Sequence, residues 1–331
     1  MPGIGWGARF AVVAIGGTLF STTGCASSPP PAVAAIAPAS EPAPLIVVED
    51  DSLETRVASS KGWGWLVERL VADGVPRSQV SSAFADPRMP AFTGLTFSVE
   101  PREPHSMYRQ VLSRRSIEAA RACRDENASA FESAQRATGV PAELVAAILH
   151  VETRCGRNTG ESVVLYGLAR LAMANEPGNL AANVEDKARQ GDALDEGMAE
   201  RVRARGAQLD EMFYPEVRAT FTVADRIGVG PLELLGSPSG AFGYAQFLPT
   251  SYLRFGVDGD GDGKVDLFDL SDAAASAAKF LAESGWQHGI GLVEQRQVIW
   301  HYNRSDAYID AVLGLSDRIG PRTAETAFGG L

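Results

Sequence analysis

Residues 140–156, VPAELVAAILHVETRCG, restrict the fold more than any other segment of the chain. Leucine, valine and isoleucine recur there every three or four residues up to Leu149, which is typical of a helix with one face in a core. Pro141 and Glu143 suit the start of such a helix. Alternating strand patterns are scarce elsewhere, so the sequence predicts a mainly α fold.

Glu152 lies on the same helical face, one turn beyond Ile148 and just before Gly156 is expected to end the helix. One interpretation is a boundary residue or a buried ion pair with a neighbouring arginine. The other is a general acid whose pKa is raised by apolar surroundings. The helical pattern alone leaves both open.

Composition excludes two classes of function. The formal charge of -11 leaves no basic stripe to neutralise phosphates, so nucleic acid is not expected as a partner. The chain has neither paired metal-binding cysteines nor an HExxH motif, and its four histidines lack ligand spacing, which argues against zinc.

The first 24 residues predict a secretory signal peptide: Arg9, then an apolar run to Phe20, then small residues to Gly24. The run is shorter than the ~20 apolar residues of a membrane-spanning helix. Gly24-Cys25 resembles a bacterial lipoprotein cleavage site, although Thr22 stands where leucine is usual. We expect an exported protein with a lipid on Cys25; the alternative is an ordinary signal with Cys25 incidental.

Residues 25–52 are rich in proline and alanine and predict an extended tether, and residues 53–331 form the expected folded part. In an exported protein Cys123 and Cys155 are readily oxidised, so a disulfide between them is one expectation. Two unpaired buried thiols are the other. A bridge would tie the segment after Ser116 to the end of the helix beside Glu152.

Helical patterning extends beyond the first segment. We expect two short helices around a turn at Asp73-Gly74, a helical run over 105–152 broken at 139–141, an exposed helical excursion over 182–208, and helices over 272–286 and 306–315. Residues 240–270 read as a loop.

Within that loop, residues 258–269, DGDGDGKVDLFD, have the oxygen-ligand spacing of an EF-hand calcium loop. The ligand positions are Asp258, Asp260, Asp262, the Lys264 carbonyl, Asp266 and Asp269, with Gly263 at the sharp turn. Aspartate replaces the usual glutamate at the last position, which predicts weaker, structural Ca2+ binding. The alternative is a solvated acidic turn.

Residues 240–252, GAFGYAQFLPTSY, place aromatic rings and Gln246 among small residues. Gly240 and Gly243 allow a ligand to approach the backbone closely. Rings beside amides suit sugars, and Tyr302-Asn303 has the same character. Aromatic clusters also form ordinary core, so the pattern alone decides nothing.

Taken in order, VETRCG, GAFGYAQFLPTSY, DGDGDGKVDLFD and HYNRSDAYIDAVLGL resemble the membrane-bound lytic transglycosylase B family of peptidoglycan-cleaving enzymes, over about residues 108–315. The resemblance implies a lysozyme-like α-helical domain with an embedded EF-hand-type calcium loop. It also implies cleavage of the MurNAc–GlcNAc β-1,4 bond of glycan strands to 1,6-anhydro-MurNAc, in the periplasm at the outer membrane, where other cell-wall enzymes are expected partners.

Carried over by motif, Glu152 is the single catalytic acid/base. Ser237, Gln246 and, among the aromatic residues, Tyr244 contact substrate, and Tyr302 and Asn303 line the cleft. The acidic loop holds calcium. A non-catalytic peptidoglycan-binding scaffold and a lysozyme-like hydrolase with a second carboxylate are the competing functions.

The chain departs from the family pattern in three places. Cys155 stands where an aromatic residue is usual, ANEPGNL stands where many members have paired arginines, and 182–208 looks inserted. These differences bear on the preference for peptide stem or glycan length.

Overall fold

The computed structural model describes residues 52–101, 103–189 and 196–320. The predicted signal peptide, Cys25 and nearly all of the tether lie outside these residues. None of the helices in the described ranges is both long enough and apolar enough to cross a bilayer.

The described residues form thirteen α-helices, a pair of two-residue strands, and short 3-10 turns at His105–Tyr108 and Met173–Asn175. The helices are α1 (Leu53–Ser60), α2 (Gly64–Ala72), α3 (Arg77–Ala85), α4 (Arg114–Glu126), α5 (Ala128–Thr138), α6 (Ala142–Thr153), α7 (Val164–Ala172), α8 (Pro177–Arg189), α9 (Glu196–Ile227), α10 (Pro249–Phe255), α11 (Leu270–Glu283), α12 (Leu292–Tyr302) and α13 (Asp306–Ile319). Strands β1 (Ser162–Val163) and β2 (Leu235–Gly236) pair antiparallel, with Ser162 opposite Gly236.

The predicted mainly α architecture is confirmed, and most predicted helices are present. Among the described residues the first helix begins at Leu53, and α2 and α3 flank the expected turn, where Gly74 has a φ of +90°. The break at 139–141 separates α5 from α6, with Gly139 in the left-handed region at a φ of +75°. The same run contains a second break that the sequence pattern did not predict, at Asn127 between α4 and α5.

Helix α6 lies at the centre of the domain and packs against α4, α5, α11 and α13. The stripe pattern predicted one buried face, but nearly every side chain of α6 is buried, including Ala146 and Ala147 on the small-residue side. A helix that is apolar all round is a core helix. Alanine on that side lets neighbouring helices approach α6 closely.

Two predictions about irregular segments were wrong in part. Residues 249–255, read as loop, form helix α10, which begins with Pro249 at its first turn. Buried Glu216 accepts a hydrogen bond from Thr250 N at 2.8 Å and so satisfies the helix start from α9. A cap supplied by another helix leaves no local sequence signal.

The excursion over 182–208 is helical where described, but it is not wholly exposed. Asn179 and Asn183 of α8 are buried and hold the preceding extended segment: Leu95 N donates to Asn179 Oδ1 at 2.7 Å, and Phe97 N donates to Asn183 Oδ1 at 3.3 Å. Val202 of α9 is buried as well. This pair of helices therefore supports the fold.

Candidate active site

The end of α6 positions the candidate acid. The helix stops at Thr153, three residues earlier than predicted, and Arg154, Cys155 and Gly156 all adopt left-handed backbone with φ of 53°, 56° and 81°. Two consecutive residues other than glycine in that region are costly and persist only where the surroundings hold them. Thr153 helps, since its Oγ1 accepts a hydrogen bond from Gly156 N at 2.9 Å. Glu152 therefore sits in the last turn of a core helix.

Two tyrosines face Glu152, which is itself half-buried. Burial raises the pKa of Tyr302 and of Tyr308 well above the usual value, and the negative charge of Glu152 raises both further. The Tyr302 hydroxyl donates to the Ala245 carbonyl at 2.6 Å. The Tyr308 hydroxyl lies within reach of the Glu152 carboxylate but outside the distance and angle of a formed hydrogen bond.

Tyr308 was missed by the sequence reasoning. Its ring stacks on Tyr302 with centroids 6.5 Å apart, and Tyr108 meets it edge-on at 5.9 Å. Tyr108 in turn donates its hydroxyl to Glu103 Oε2 at 2.9 Å. The available signal was its place within the motif HYNRSDAYIDAVLGL, as the third residue of α13.

The loop before α10 packs against the same helix end. Thr153 Oγ1 lies 3.0 Å from the Tyr244 carbonyl, and the Tyr244 ring covers Gly156, where any Cβ would collide with it. Tyr244 N donates to the Leu267 carbonyl at 2.7 Å. The structure thus brings predicted residues Glu152, Tyr244 and Tyr302 together, although 150 positions separate the first from the last.

The polar side chains predicted to contact substrate form hydrogen bonds that stabilise this loop. Gln246 has a φ of +49°, and its Nε2 donates to the carbonyls of Gly243 at 3.0 Å and Thr159 at 3.1 Å. Ser237 Oγ accepts from Ala241 N at 3.1 Å. Asn303, just after α12, is buried. Substrate contacts by these residues stay predictions.

Cys123 of α4 and Cys155 form a disulfide, with their Cα atoms 6.5 Å apart. The bridge attaches the left-handed turn after Glu152 to the buried side of α4. Of the two alternatives left open by the sequence, the structure has the bridge.

Three carboxylates come together at the acidic loop. They belong to Asp258, Asp260 and Asp272, and their oxygens lie within 4.8 Å of one another. Asp272 is buried on α11, which raises its pKa, whereas the Gly263 backbone amide lowers the pKa of Asp258 by hydrogen bonding. Close carboxylates with hard oxygen donors suit Ca2+, so the residues present fit such an ion.

Asp269, predicted as the last ligand, lies outside this group of three carboxylates, and its ligation stays a prediction. Its Oδ1 accepts from Ser271 N at 2.7 Å and Asp272 N at 3.2 Å, which caps the start of α11. The third carboxylate of the cluster comes from Asp272, three residues later. Asp262 and Asp266 accept hydrogen bonds from the Lys264 and Phe268 amides, and ligation by Asp262, Asp266 and the Lys264 carbonyl stays a prediction.

Comparison with known proteins agrees with this geometry. The family model described as the transglycosylase SLT domain matches residues 60–295. Membrane-bound lytic murein transglycosylase B of Escherichia coli K12 is 32% identical over 160 residues, which are 48% of this chain and 36% of that protein. The match therefore spans about a third of the length of this curated relative.

Solved structures share the fold. Escherichia coli lytic transglycosylase Slt35 in complex with calcium is 22% identical, with a TM-score of 0.57 over 77% of this chain and 91% of that one. SltB3 from Pseudomonas aeruginosa, in complex with NAG-NAM-pentapeptide, is 20% identical, with a TM-score of 0.56 over 78% of this chain and 79% of that one.

Proposed function

The chain belongs to the transglycosylase SLT domain family, and we propose that it cleaves the MurNAc–GlcNAc β-1,4 bond of peptidoglycan strands without water. The product would end in 1,6-anhydro-MurNAc. One observation carries the proposal: Glu152 stands at the end of a core helix beside two fully buried tyrosines. The peptidoglycan names of its relatives support the substrate class.

The proposed reaction uses one carboxyl group, whereas ordinary glycosidases use two. Glu152 donates its proton to the glycosidic oxygen as the bond from C1 breaks. The N-acetyl carbonyl of the substrate stabilises the positive charge at C1. The substrate's own C6 hydroxyl then attacks C1 and its proton passes to Glu152, which restores the acid.

The surroundings of Glu152 support both halves of this cycle. The buried rings of Tyr302 and Tyr308 close one side of half-buried Glu152 to solvent, and bound substrate would cover the other, which favours the internal hydroxyl over water. When Glu152 is ionised after the first step, a small movement would let the neighbouring Tyr308 hydroxyl donate a hydrogen bond to it. Tyr302 donates a hydrogen bond to the Ala245 carbonyl and stacks on the Tyr308 ring, so it connects the loop before α10 to the Tyr308 side chain.

Substrate binding is assigned to the loop and to the end of α12. Tyr244 supplies a half-buried ring beside Gly156. Ser237, Gln246 and Asn303 are proposed to supply the hydroxyl and amide groups that contact the sugar. A sugar offers both apolar faces and hydroxyls to such a set. A raised pKa of Glu152, predicted from the sequence, is part of this proposal.

Calcium is proposed as a structural ion at Asp258, Asp260 and Asp272. The calcium complex of Slt35 supports this assignment. Bound there, Ca2+ would offset the repulsion among three carboxylates and join the loop to α11. It takes no part in the bond cleavage.

The proposed cellular location follows from the predicted signal peptide, residues 1–24. Export and a lipid on Cys25 would place the folded part in the periplasm, tethered to the outer membrane by residues 25–52, with glycan strands and other cell-wall enzymes within reach. The membrane-bound Escherichia coli relative supports this arrangement.

The product decides the reaction. Purified sacculi are digested with the protein in water enriched in oxygen-18, and the soluble fragments are analysed by mass spectrometry. Anhydro ends without the label are expected. Labelled reducing MurNAc ends would identify a hydrolase and direct the search to a second carboxylate. Binding to sacculi without any soluble product would identify a scaffold.

A further inference from the structure

A cavity of about 880 Å3 lies beside the C-terminal end of α6, separate from the tyrosines that face Glu152. Its walls come from the segment before α4, from α4 itself and from the turn after α6, including the Cys123–Cys155 bridge. Small-molecule sites typically enclose about 300–1,000 Å3. The cavity is therefore large enough for a ligand of several residues and far larger than a single small ion requires.

The charge of the lining is opposite to that of the chain. Arg115, Arg154 and Arg157 line the cavity with a single carboxylate, Glu126, in a protein whose formal charge is -11. Arg115 and Arg157 take part in no salt bridge with the described residues. Arginine presents a planar fork of donors that matches a carboxylate, so the lining suits an anionic ligand.

A buried nitrogen on the same wall lacks a partner. His150 is 5% exposed, its Nε2 lies 2.9 Å from Ser116 Oγ, and its Nδ1 makes no hydrogen bond with any described residue. Buried polar atoms without partners are rare, and each needs a physical explanation. In the tautomer with hydrogen on Nδ1, Ser116 donates to Nε2, and Nδ1 could donate to a ligand oxygen only after a neighbouring side chain moves aside, because it is closed to solvent.

The cavity is also adjacent to the proposed site of cleavage. Val151 and Arg154 line it, and Glu152 lies between them in the chain. Successive side chains of a helix point about 100° apart, so Glu152 faces the tyrosines while Val151 faces the cavity. The two sites therefore lie on adjoining sides of the same helix end.

We propose that this cavity binds the carboxylate-bearing peptide stem of the glycan strand, with Arg115 and Arg157 as the carboxylate contacts. The inference rests on the proposed function, because it assumes that a MurNAc residue occupies the site beside Glu152. It assigns this chain a preference for glycan that still carries its stems.

Binding is tested without catalysis. Stem peptides released from sacculi by an amidase are titrated into the Glu152→Gln protein by calorimetry, beside the same peptides with their carboxyl groups amidated. The free-acid peptides are expected to bind, and the amidated ones to bind at least about tenfold more weakly, the loss of ~1.4 kcal/mol that one charged contact supplies. Equal binding of both, or binding of neither, overturns the proposal.

The arginines are then tested in turnover. Arg115→Gln/Arg157→Gln is compared with Arg56→Gln/Arg203→Gln, a matched pair of exposed helical arginines outside the cavity. The first pair should lower kcat/KM about tenfold or more on stem-bearing glycan and leave it unchanged on amidase-stripped glycan, while the control pair changes neither. An equal loss on both substrates, or no loss on either, refutes the assignment.

Two further measurements distinguish failure of the arginine assignment from a folding defect and from failure of the proposed function. Equal thermal midpoints for both variant pairs exclude a folding defect, and Arg157→Lys should recover part of the activity because it keeps the charge but loses the fork. Failure of the wild-type protein to release anhydro ends from either substrate would contradict the proposed function. Peptide titration would still test the cavity by itself.

Discussion

The end of α6 and the acidic loop before α11 use carboxylates in opposite ways. Glu152 is a single half-buried acid beside two buried tyrosine hydroxyls. In the loop, Asp258 and Asp260 are held by backbone amides near the surface, and only Asp272 is buried. Surroundings of the first kind suit proton transfer, because they penalise charge. Those of the second kind hold carboxylates close together through backbone amides, which suits a cation.

The largest expected effect is the loss of the acid. Glu152→Gln should lower the rate of release of anhydro ends by about 10^2- to 10^4-fold, the usual contribution of a general acid/base. Glu143→Gln, a change of the same kind in the first turn of the same helix, should keep the wild-type rate. Product release from sacculi, quantified by liquid chromatography, checks both. Similar rates for the two variants would show that Glu152 is not the acid.

The next largest effect concerns the Cys123–Cys155 disulfide, which holds the left-handed turn after α6. The acidic loop has no such covalent link among the described residues. Cys123 and Cys155 are 32 residues apart. A crosslink of that span contributes about 3 to 4 kcal/mol by restricting the unfolded chain. Cys123→Ser/Cys155→Ser should lose roughly that free energy of unfolding, measured with denaturant. Unchanged stability with the bridge confirmed in the wild type by mass spectrometry would contradict the expectation.

Replacing each of the two tyrosines beside Glu152 by phenylalanine should change the free energy of unfolding by different amounts. Tyr302→Phe removes the donor to the Ala245 carbonyl, and a buried acceptor that loses its partner costs about 1–3 kcal/mol. Tyr308→Phe removes a buried hydroxyl without a formed hydrogen bond, so its free energy of unfolding should be unchanged or higher. Denaturant unfolding of both variants tests this order, and a costlier Tyr308→Phe would reverse it.

The smallest effects concern the acidic loop. Calcium should raise the thermal midpoint of the wild-type protein, and Asp272→Asn should abolish that rise. The same change should also lower the midpoint of the metal-free protein, because Asp272 Oδ1 and Oδ2 accept hydrogen bonds from Gly259 N and Asp266 N, and an asparagine can keep only one of them. Asp269→Ala should cost ~1 kcal/mol as a lost helix cap. It should still respond to calcium, because Asp269 caps α11. If instead Asp269→Ala alone loses the response, the sequence-based ligand assignment was correct.

Local patterns in the sequence were enough for the mainly α class, the break at 139–141 and the separation of α2 from α3. Each depends on neighbours in the chain: apolar spacing, a glycine able to adopt positive φ, or a proline at a helix start. The four ordered motifs also led to the family that the comparisons show.

Contacts between distant segments were decided only by the tertiary structure. Helix α10 begins on a cap from Glu216, Asp272 and not Asp269 joins the carboxylate cluster, and Tyr308 comes to lie beside Glu152. The Cys123–Cys155 bridge belongs to the same group, since two thiols pair only if the fold brings them together. The sequence therefore determined which chemical groups are available and which helices carry them. Packing around α6 decided which of those groups meet, because burial and close approach depend on all the elements at once.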